Sequence, residues 1–196
     1  MIVLPYWLRK VLYPVYMTGL RKTWRGKRFD NTEDAKPLTS IYRLEMTDNH
    51  RQQFPFSRLQ GKKIMIVNTA SDCGFVEQYH ELQKLYIDYF DKLVIIVFPS
   101  NDFDHQEQGS DEQIAAFCDE RYAATFPIMS KSMVLKGDAQ NSIYQWLTHA
   151  EENGWNNHPP DWNFGKYLID EQGKLMHYFG TAISPFSKEV LKAINQ

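Results

Sequence analysis

Lys62-Lys63-Ile64-Met65-Ile66-Val67-Asn68-Thr69-Ala70-Ser71-Asp72-Cys73-Gly74 opens on an apolar run and leads into a cysteine. The run Ile64 to Val67 has no polar alternation, so it reads as a central strand covered on both faces. Leu93-Val94-Ile95-Ile96-Val97-Phe98, closed by Pro99, repeats the signal. Between them, Glu77 to Tyr89 carries a helical pattern, giving a strand–helix–strand unit. Asp111 to Tyr122 predicts a second helix, with Ser110 or Asp111 as its cap and acids in its first turn. Gly165 to Asp170 and Lys174 to Phe179, joined by Glu171-Gln172-Gly173, predict a hairpin. Pro185 to Asn195 predicts a closing helix. Upstream, Ile41 to Met46 alternates like a half-buried strand and Thr47 to His50 reads as a turn. These elements make a small α/β sheet with helices on both faces.

The bulk properties agree with one ordinary domain. The 196 residues are 43% hydrophobic and 23% charged, which suits a single packed core rather than two. A formal net charge of −2 argues against a nucleic-acid binder. The charge is uneven, however. Residues 1–38 hold eight of the 22 basic side chains but three of the 24 acidic ones, so the remainder is acidic by seven.

Residues 1–28 form a basic, aromatic leader without a single acid. Arg9, Lys10, Arg21 and Lys22 interrupt every apolar run before it reaches the ~20 residues of a membrane span. An export signal would place charge ahead of the apolar stretch, and here the order is reversed. Leu4, Leu8, Leu12 and Val15 fall near helical spacing, with Trp7, Tyr13 and Tyr16 suited to a headgroup region. Pro5 and Pro14 argue against one long helix. The leader therefore reads either as an anchor on an anionic membrane surface or as an arm, flexible or packed on the domain. Residues 29–38 read as a polar linker and residues 39–196 as the folded domain. A cytoplasmic protein, peripheral at the inner membrane face, is the corresponding expectation.

The chain has two cysteines, Cys73 and Cys118. A disulfide-stapled secreted scaffold would be shorter and richer in cysteine. The pair is therefore either two buried hydrophobes or a reactive couple. Cys73 stands at the carboxyl end of a buried strand and before a helix, where ligands of α/β sheets bind and backbone amides favour a thiolate. Other chemistries are unsupported. His80-Glu81-Leu82-Gln83-Lys84 lacks the second histidine of a zinc-protease helix, and no glycine-rich phosphate loop occurs.

The stretch Asn68-Thr69-Ala70-Ser71-Asp72-Cys73-Gly74-Phe75 with Gln78-Tyr79 resembles the glutathione peroxidase signature around the peroxidatic residue. Phe98-Pro99-Ser100-Asn101-Asp102-Phe103 with Gln106-Glu107 and Gly109-Ser110 resembles that family's second motif, and Trp162-Asn163-Phe164 its third. Phe126-Pro127, Phe179 and Pro185 match as well, so the similarity covers residues 39–196. The resemblance implies a thioredoxin-like fold with a central mixed sheet and a catalytic tetrad of Cys73, Gln106, Trp162 and Asn163. The residue types suit the chemistry. A thiolate attacks one peroxide oxygen while the other leaves, and amide and indole N–H donors stabilise the developing charge without competing as nucleophiles.

Cys118 lies on the Asp111–Tyr122 helix. It resembles the resolving cysteine of the cysteine-type, thioredoxin-dependent members. By that resemblance it would condense with a Cys73 sulfenic acid to a disulfide, which thioredoxin or glutathione would reduce. Packing beside Phe117 and Ile114 is the plainer reading of the same residue. The stretch from Lys131 to Trp162 is too short for the family's tetramer loop, which implies a monomer or dimer open to lipid hydroperoxides. No bound cofactor or metal is implied. Asp72, Val76, Ser100 and Asp102 depart from common family residues, and a carboxylate beside Cys73 would disfavour its thiolate. Two rival functions use the same residues: a peroxide-sensing relay that oxidises a partner protein, and a non-catalytic module with structural cysteines. The missing C-x-x-C motif counts against general disulfide exchange.

Overall fold

The computed structural model describes residues 26–196, together with Gly19 and Thr23. The leader's predicted anchor therefore lies almost wholly outside the described residues. Among residues 26–196, seven strands and five α-helices follow in order: β1 (Arg28–Asp30), β2 (Glu45–Thr47), β3 (Gln53–Pro55), β4 (Lys63–Thr69), α1 (Gln78–Asp88), β5 (Leu93–Pro99), α2 (Asp111–Tyr122), α3 (Ser142–Thr148), α4 (Ala150–Asn153), β6 (Lys166–Ile169), β7 (Leu175–Phe179) and α5 (Lys188–Asn195). The main sheet runs β1-β7-β6-β4-β5, and β2 and β3 form a separate pair. β4 and β5 are parallel, whereas β6, β7 and β1 are antiparallel to their neighbours. The sheet is mixed, as expected.

β4 shows why the sequence reads as it does. All seven of its residues are buried, because successive side chains point to opposite faces and both faces are covered. Met65 and Val67 pack with Tyr79, Leu82 and Leu85 of α1, Ile114 and Cys118 of α2, and Val190 and Ile194 of α5. Ile64 and Ile66 pack on the other side with Ile143, Tyr144, Trp146 and Leu147 of α3. The predicted helices and hairpin agree with the structure to within a few residues at each end. Ser110 is the cap of α2: its side chain accepts from Gln113 N while the Gln113 side chain accepts from Ser110 N, a closed capping box.

Two sequence readings need correction, and one helix goes unannounced. Ile41 to Met46 is not one strand: a 3-10 turn spans Ile41–Arg43 and the strand begins at Glu45. Ser40 accepts from Tyr42 N and starts that turn. The linker begins later than residue 29, since Phe29 and Asp30 belong to β1 and face Tyr178 and His177 across the ladder. Phe29 packs on the His158 ring at 4.5 Å, and Asp30 Oδ1 lies 2.7 Å from His177 Nδ1; these are contacts with residues some 130–150 positions away. Helix α3 gave no periodic signal because it is buried nearly all round, at Ile143, Tyr144, Trp146, Leu147 and Thr148.

Candidate active site

The polypeptide leaves β4 at Thr69 and reaches Cys73 four residues on, at the carboxyl end of the sheet. Two successive turns, closed by Val76 N to Cys73 O and Gln78 N to Phe75 O, lead into α1. Cys73 is fully buried, although Asp72 and Gly74 on either side of it are exposed. The Phe75 amide approaches its sulfur at 3.5 Å. A backbone N–H at that position is a donor to the sulfur. Neither Cys73 nor Cys118 is in a disulfide.

A second loop, Asn101 to Gly109, is tied to the Cys73 loop at several points. Asp72 N donates to Gln106 O at 3.0 Å, and Ser100 N donates to Thr69 O at 3.0 Å. The Glu107 carboxylate accepts from Ser71 N at 2.8 Å and from Ser71 Oγ at 2.7 Å. Burial raises the Glu107 carboxyl above its ordinary value, and those two hydrogen bonds oppose the rise. Asp104 and His105, directly before Gln106, are both left-handed, with φ of 49° and 52°. Such conformations are uncommon outside glycine and are held by their surroundings.

The third segment, Trp162 to Lys166, is gripped by Asn68 at the end of β4. Asn68 Nδ2 donates to Trp162 O at 2.9 Å, its Oδ1 accepts from Gly165 N at 3.1 Å, and its backbone O accepts from Phe164 N at 2.6 Å. A methyl group on Gly165 would stand 3.1 Å from Asn68 Oδ1 and 3.2 Å from Tyr178 Oη. Any side chain there would press its neighbours back by a few tenths of an ångström, so the close approach favours glycine. Phe164 is left-handed at φ 65°, so both Gln106 and Asn163 adjoin strained residues.

The structure brings the predicted residues into one neighbourhood. Asn163 Nδ2 donates to Gln106 Oε1 at 3.1 Å. Since Gln106 accepts through its oxygen, its Nε2 hydrogens stay available for an incoming group. Gln106 itself is half-buried and Asn163 fully buried. Trp162 is half-buried and packs against Phe103 with ring centroids 5.5 Å apart. Cys118 sits in the same buried cluster as Cys73, on α2. Burial, reinforced by the nearby Glu107 carboxylate, pushes its thiol from 9.0 to about 12, against a smaller opposing effect of the Tyr79 hydroxyl.

Asn68, Ser71, Gln78 and Glu107 lie inside the sequence motifs but have no role there, and Lys166 and Thr181 lie outside them. A polar residue closing an otherwise apolar strand was the available signal for Asn68. Nothing local marks Lys166, whose side-chain partner Gln78 lies 88 positions earlier in the chain.

Comparison with known proteins places this geometry. The family model for glutathione peroxidase matches residues 41–148, more than half of the chain. Glutathione peroxidase-like peroxiredoxin HYR1 of Saccharomyces cerevisiae is 41% identical over 163 residues, spanning 80% of this chain and 99% of that protein. Glutathione peroxidase-like peroxiredoxin 2 of the same yeast is 45% identical over 150 residues, 76% of this chain and 92% of its own length. Among solved structures, the apo crystal structure of Trgpx superposes with a TM-score of 0.61 at 30% identity, covering 81% of this chain and 97% of that one. The fold is thioredoxin-like, as the sequence motifs imply.

Proposed function

The chain belongs to the glutathione peroxidase family and is a peroxidase, and we propose that it is a thiol peroxidase cycling through two cysteines. The Cys73 thiolate attacks one oxygen of a hydrogen, organic or lipid hydroperoxide. The O–O bond breaks, the sulfur becomes a sulfenic acid, and the other oxygen leaves as hydroxide or alkoxide to be protonated. Gln106, Asn163 and Trp162 supply N–H donors to the developing negative charge. The observation that carries this reading is the Asn163–Gln106 amide pair, 3.1 Å apart, on a loop bonded to the residue beside Cys73.

Cys118 then attacks the sulfenic sulfur, expelling water and forming a disulfide. In the closed helix its thiol is pushed to about 12, so the nucleophilic thiolate is scarce near neutrality. Local opening of α2 returns it to an ordinary cysteine and frees it to move. α2 is suited to opening. Ile114, Cys118 and Tyr122 are its buried residues among twelve, and its C-cap is Ala123 in the left-handed conformation rather than glycine. Thioredoxin, whose dithiol reduces disulfides by exchange, is the proposed reductant, with glutathione as the alternative.

The decisive experiment supplies thioredoxin with its reductase, or glutathione with its own, under matched peroxide. Faster turnover with thioredoxin is expected. Negligible consumption with either, beside ready oxidation of a partner protein, would favour the relay instead. We further propose that residues 1–28 carry the enzyme to anionic membrane surfaces from the cytoplasmic side. Removing residues 1–25, which spares β1, is expected to leave peroxidase activity intact and to weaken binding to anionic liposomes. Equal liposome binding by both forms would rule the anchor out.

A further inference from the structure

Lys166 opens β6 three residues after Asn163 and is fully buried. Completely buried lysines are rare, because removing an ammonium group from water is unfavourable unless its donors are satisfied. Burial lowers the Lys166 amine to about 7, with the Glu81 carboxylate opposing the drop. A position that needed only volume would be filled better by leucine or methionine. Its donors are instead committed to two acceptors: Nζ reaches Phe164 O at 2.7 Å and Gln78 Oε1 at 2.9 Å.

The chain of contacts continues to the site. Gln78 Nε2 donates to Thr181 O at 2.7 Å, and Thr181 Oγ1 donates to Asn163 O at 2.8 Å. Gln78, Thr181 and Asn163 are all fully buried, so water does not compete for these bonds. The amine therefore holds the Phe164 carbonyl directly and is linked to the Asn163 carbonyl through Gln78 and Thr181. Phe164 is the residue held left-handed at φ 65°, a conformation costing on the order of 1–3 kcal/mol that persists only where the surroundings enforce it.

We propose that Lys166 is a positioning residue for the peroxide reaction: acting through Gln78 and Thr181, it holds the strained Asn163–Phe164 turn so that the Asn163 amide stays aimed beside Gln106. The proposal rests on Asn163 being a donor in that reaction. Without Lys166, the turn can relax towards ordinary backbone conformations and swing the Asn163 amide off target. A shift of about 1 Å in such a group lowers rates by about a hundredfold in the extreme.

Lys166→Met and Thr181→Val keep side-chain shape while removing the donors. Two readouts are taken on the full chain: the rate of Cys73 oxidation by hydrogen peroxide, followed by tryptophan fluorescence, and the Asn163 side-chain amide signals in nitrogen-15 correlation spectra. Each variant is expected to react at least about tenfold more slowly, with the Asn163 signals shifted or broadened. The double variant is expected to be no slower than Lys166→Met alone, because both act through one chain. A folded variant with unmoved Asn163 signals and a rate within twofold of the parent overturns the proposal, as do additive losses. Should Lys166→Met not fold, Thr181→Val decides by the same two readouts. If the parent protein reacts no faster than free cysteine, the peroxidase mechanism falls, while the amide signals still decide whether Lys166 holds Asn163.

Discussion

The Trp162–Lys166 segment and helix α2 each carry a residue assigned to the cycle, yet they are held in opposite ways. The first is clamped by Asn68 on one side and by the Lys166–Gln78–Thr181 chain on the other, all of it buried. The second rests on a narrow stripe, Ile114, Cys118 and Tyr122 with the half-buried Phe117 beside them, and most of its other residues are exposed. Its N-terminus is firmly closed by Ser110 and Gln113, whereas its C-terminus, one turn from Cys118, ends on a strained alanine. Donors for a departing oxygen gain from being fixed before the reaction. A resolving thiol gains from being able to leave its place. The contrast follows that division of labour.

The largest expected effect tests the movable side. Cys118→Ser should permit one oxidation of Cys73 and lower thioredoxin-supported turnover by on the order of a hundredfold; unimpaired cycling would remove Cys118 from the mechanism. On the fixed side, Asn68→Ala strands Trp162 O and Gly165 N. It should destabilise the protein by about 3 kcal/mol in urea unfolding and slow Cys73 oxidation. If it left the oxidation rate unchanged, the clamp would be structural alone. Ile114→Ala removes a buried anchor of α2 and should cost about 2–4 kcal/mol. The contrast predicts that disulfide formation speeds up while Cys73 oxidation does not change.

A pH series isolates the buried Cys118 thiol. Its folded value is raised, so its stabilising contribution is complete below pH 9, where the unfolded thiol is protonated. That contribution fades as pH climbs towards about 12. The stability gap between the parent and Cys118→Ser should therefore shift against the parent above pH 9, by about 1 kcal/mol at pH 10. Comparing the two proteins cancels the buried Tyr144, Tyr167 and Tyr178, which do not interact with Cys118, whereas Tyr79, its hydrogen-bond partner, contributes to the difference. A gap independent of pH would show that the thiol is not buried in solution. The smallest effect is expected from Ala123→Gly, which relieves the left-handed cap and stabilises by about 1 kcal/mol. Disulfide formation should slow about fivefold in quench-flow trapping, since the helix must open against that extra stability.

Much of this arrangement is legible in the sequence. The apolar runs around Ile64–Val67 and Leu93–Phe98 announce buried strands, and Ser110 with Gln113 announces the start of α2, because these signals are local. The family resemblance of the three motifs implied that Gln106 and Asn163 belong to one site, and their amides meet each other at 3.1 Å. What stayed hidden depends on long-range partners. Phe29 and Asp30 look like linker until β7 pairs with them, and Lys166 looks like one more strand lysine until Gln78, 88 positions earlier, accepts from it. The left-handed Phe164 leaves no mark in composition, since aromatic residues rarely adopt that conformation. Such features are exceptions to local preference, and here they gather around the site.

Strand β1 has a bearing on solubility. The sheet ends in a rung only three residues long, flanked by Arg28 and by Asp30, whose carboxylate bonds to both Arg28 and His177. So short and charged an edge offers little template for another chain to pair with. Each opening of α2 in the proposed cycle would uncover apolar core for a moment, the condition under which sheet proteins stick to one another. With β7 already paired along Arg28–Asp30, a molecule caught in that state has a blunted edge, which favours reclosing alone over joining a neighbour.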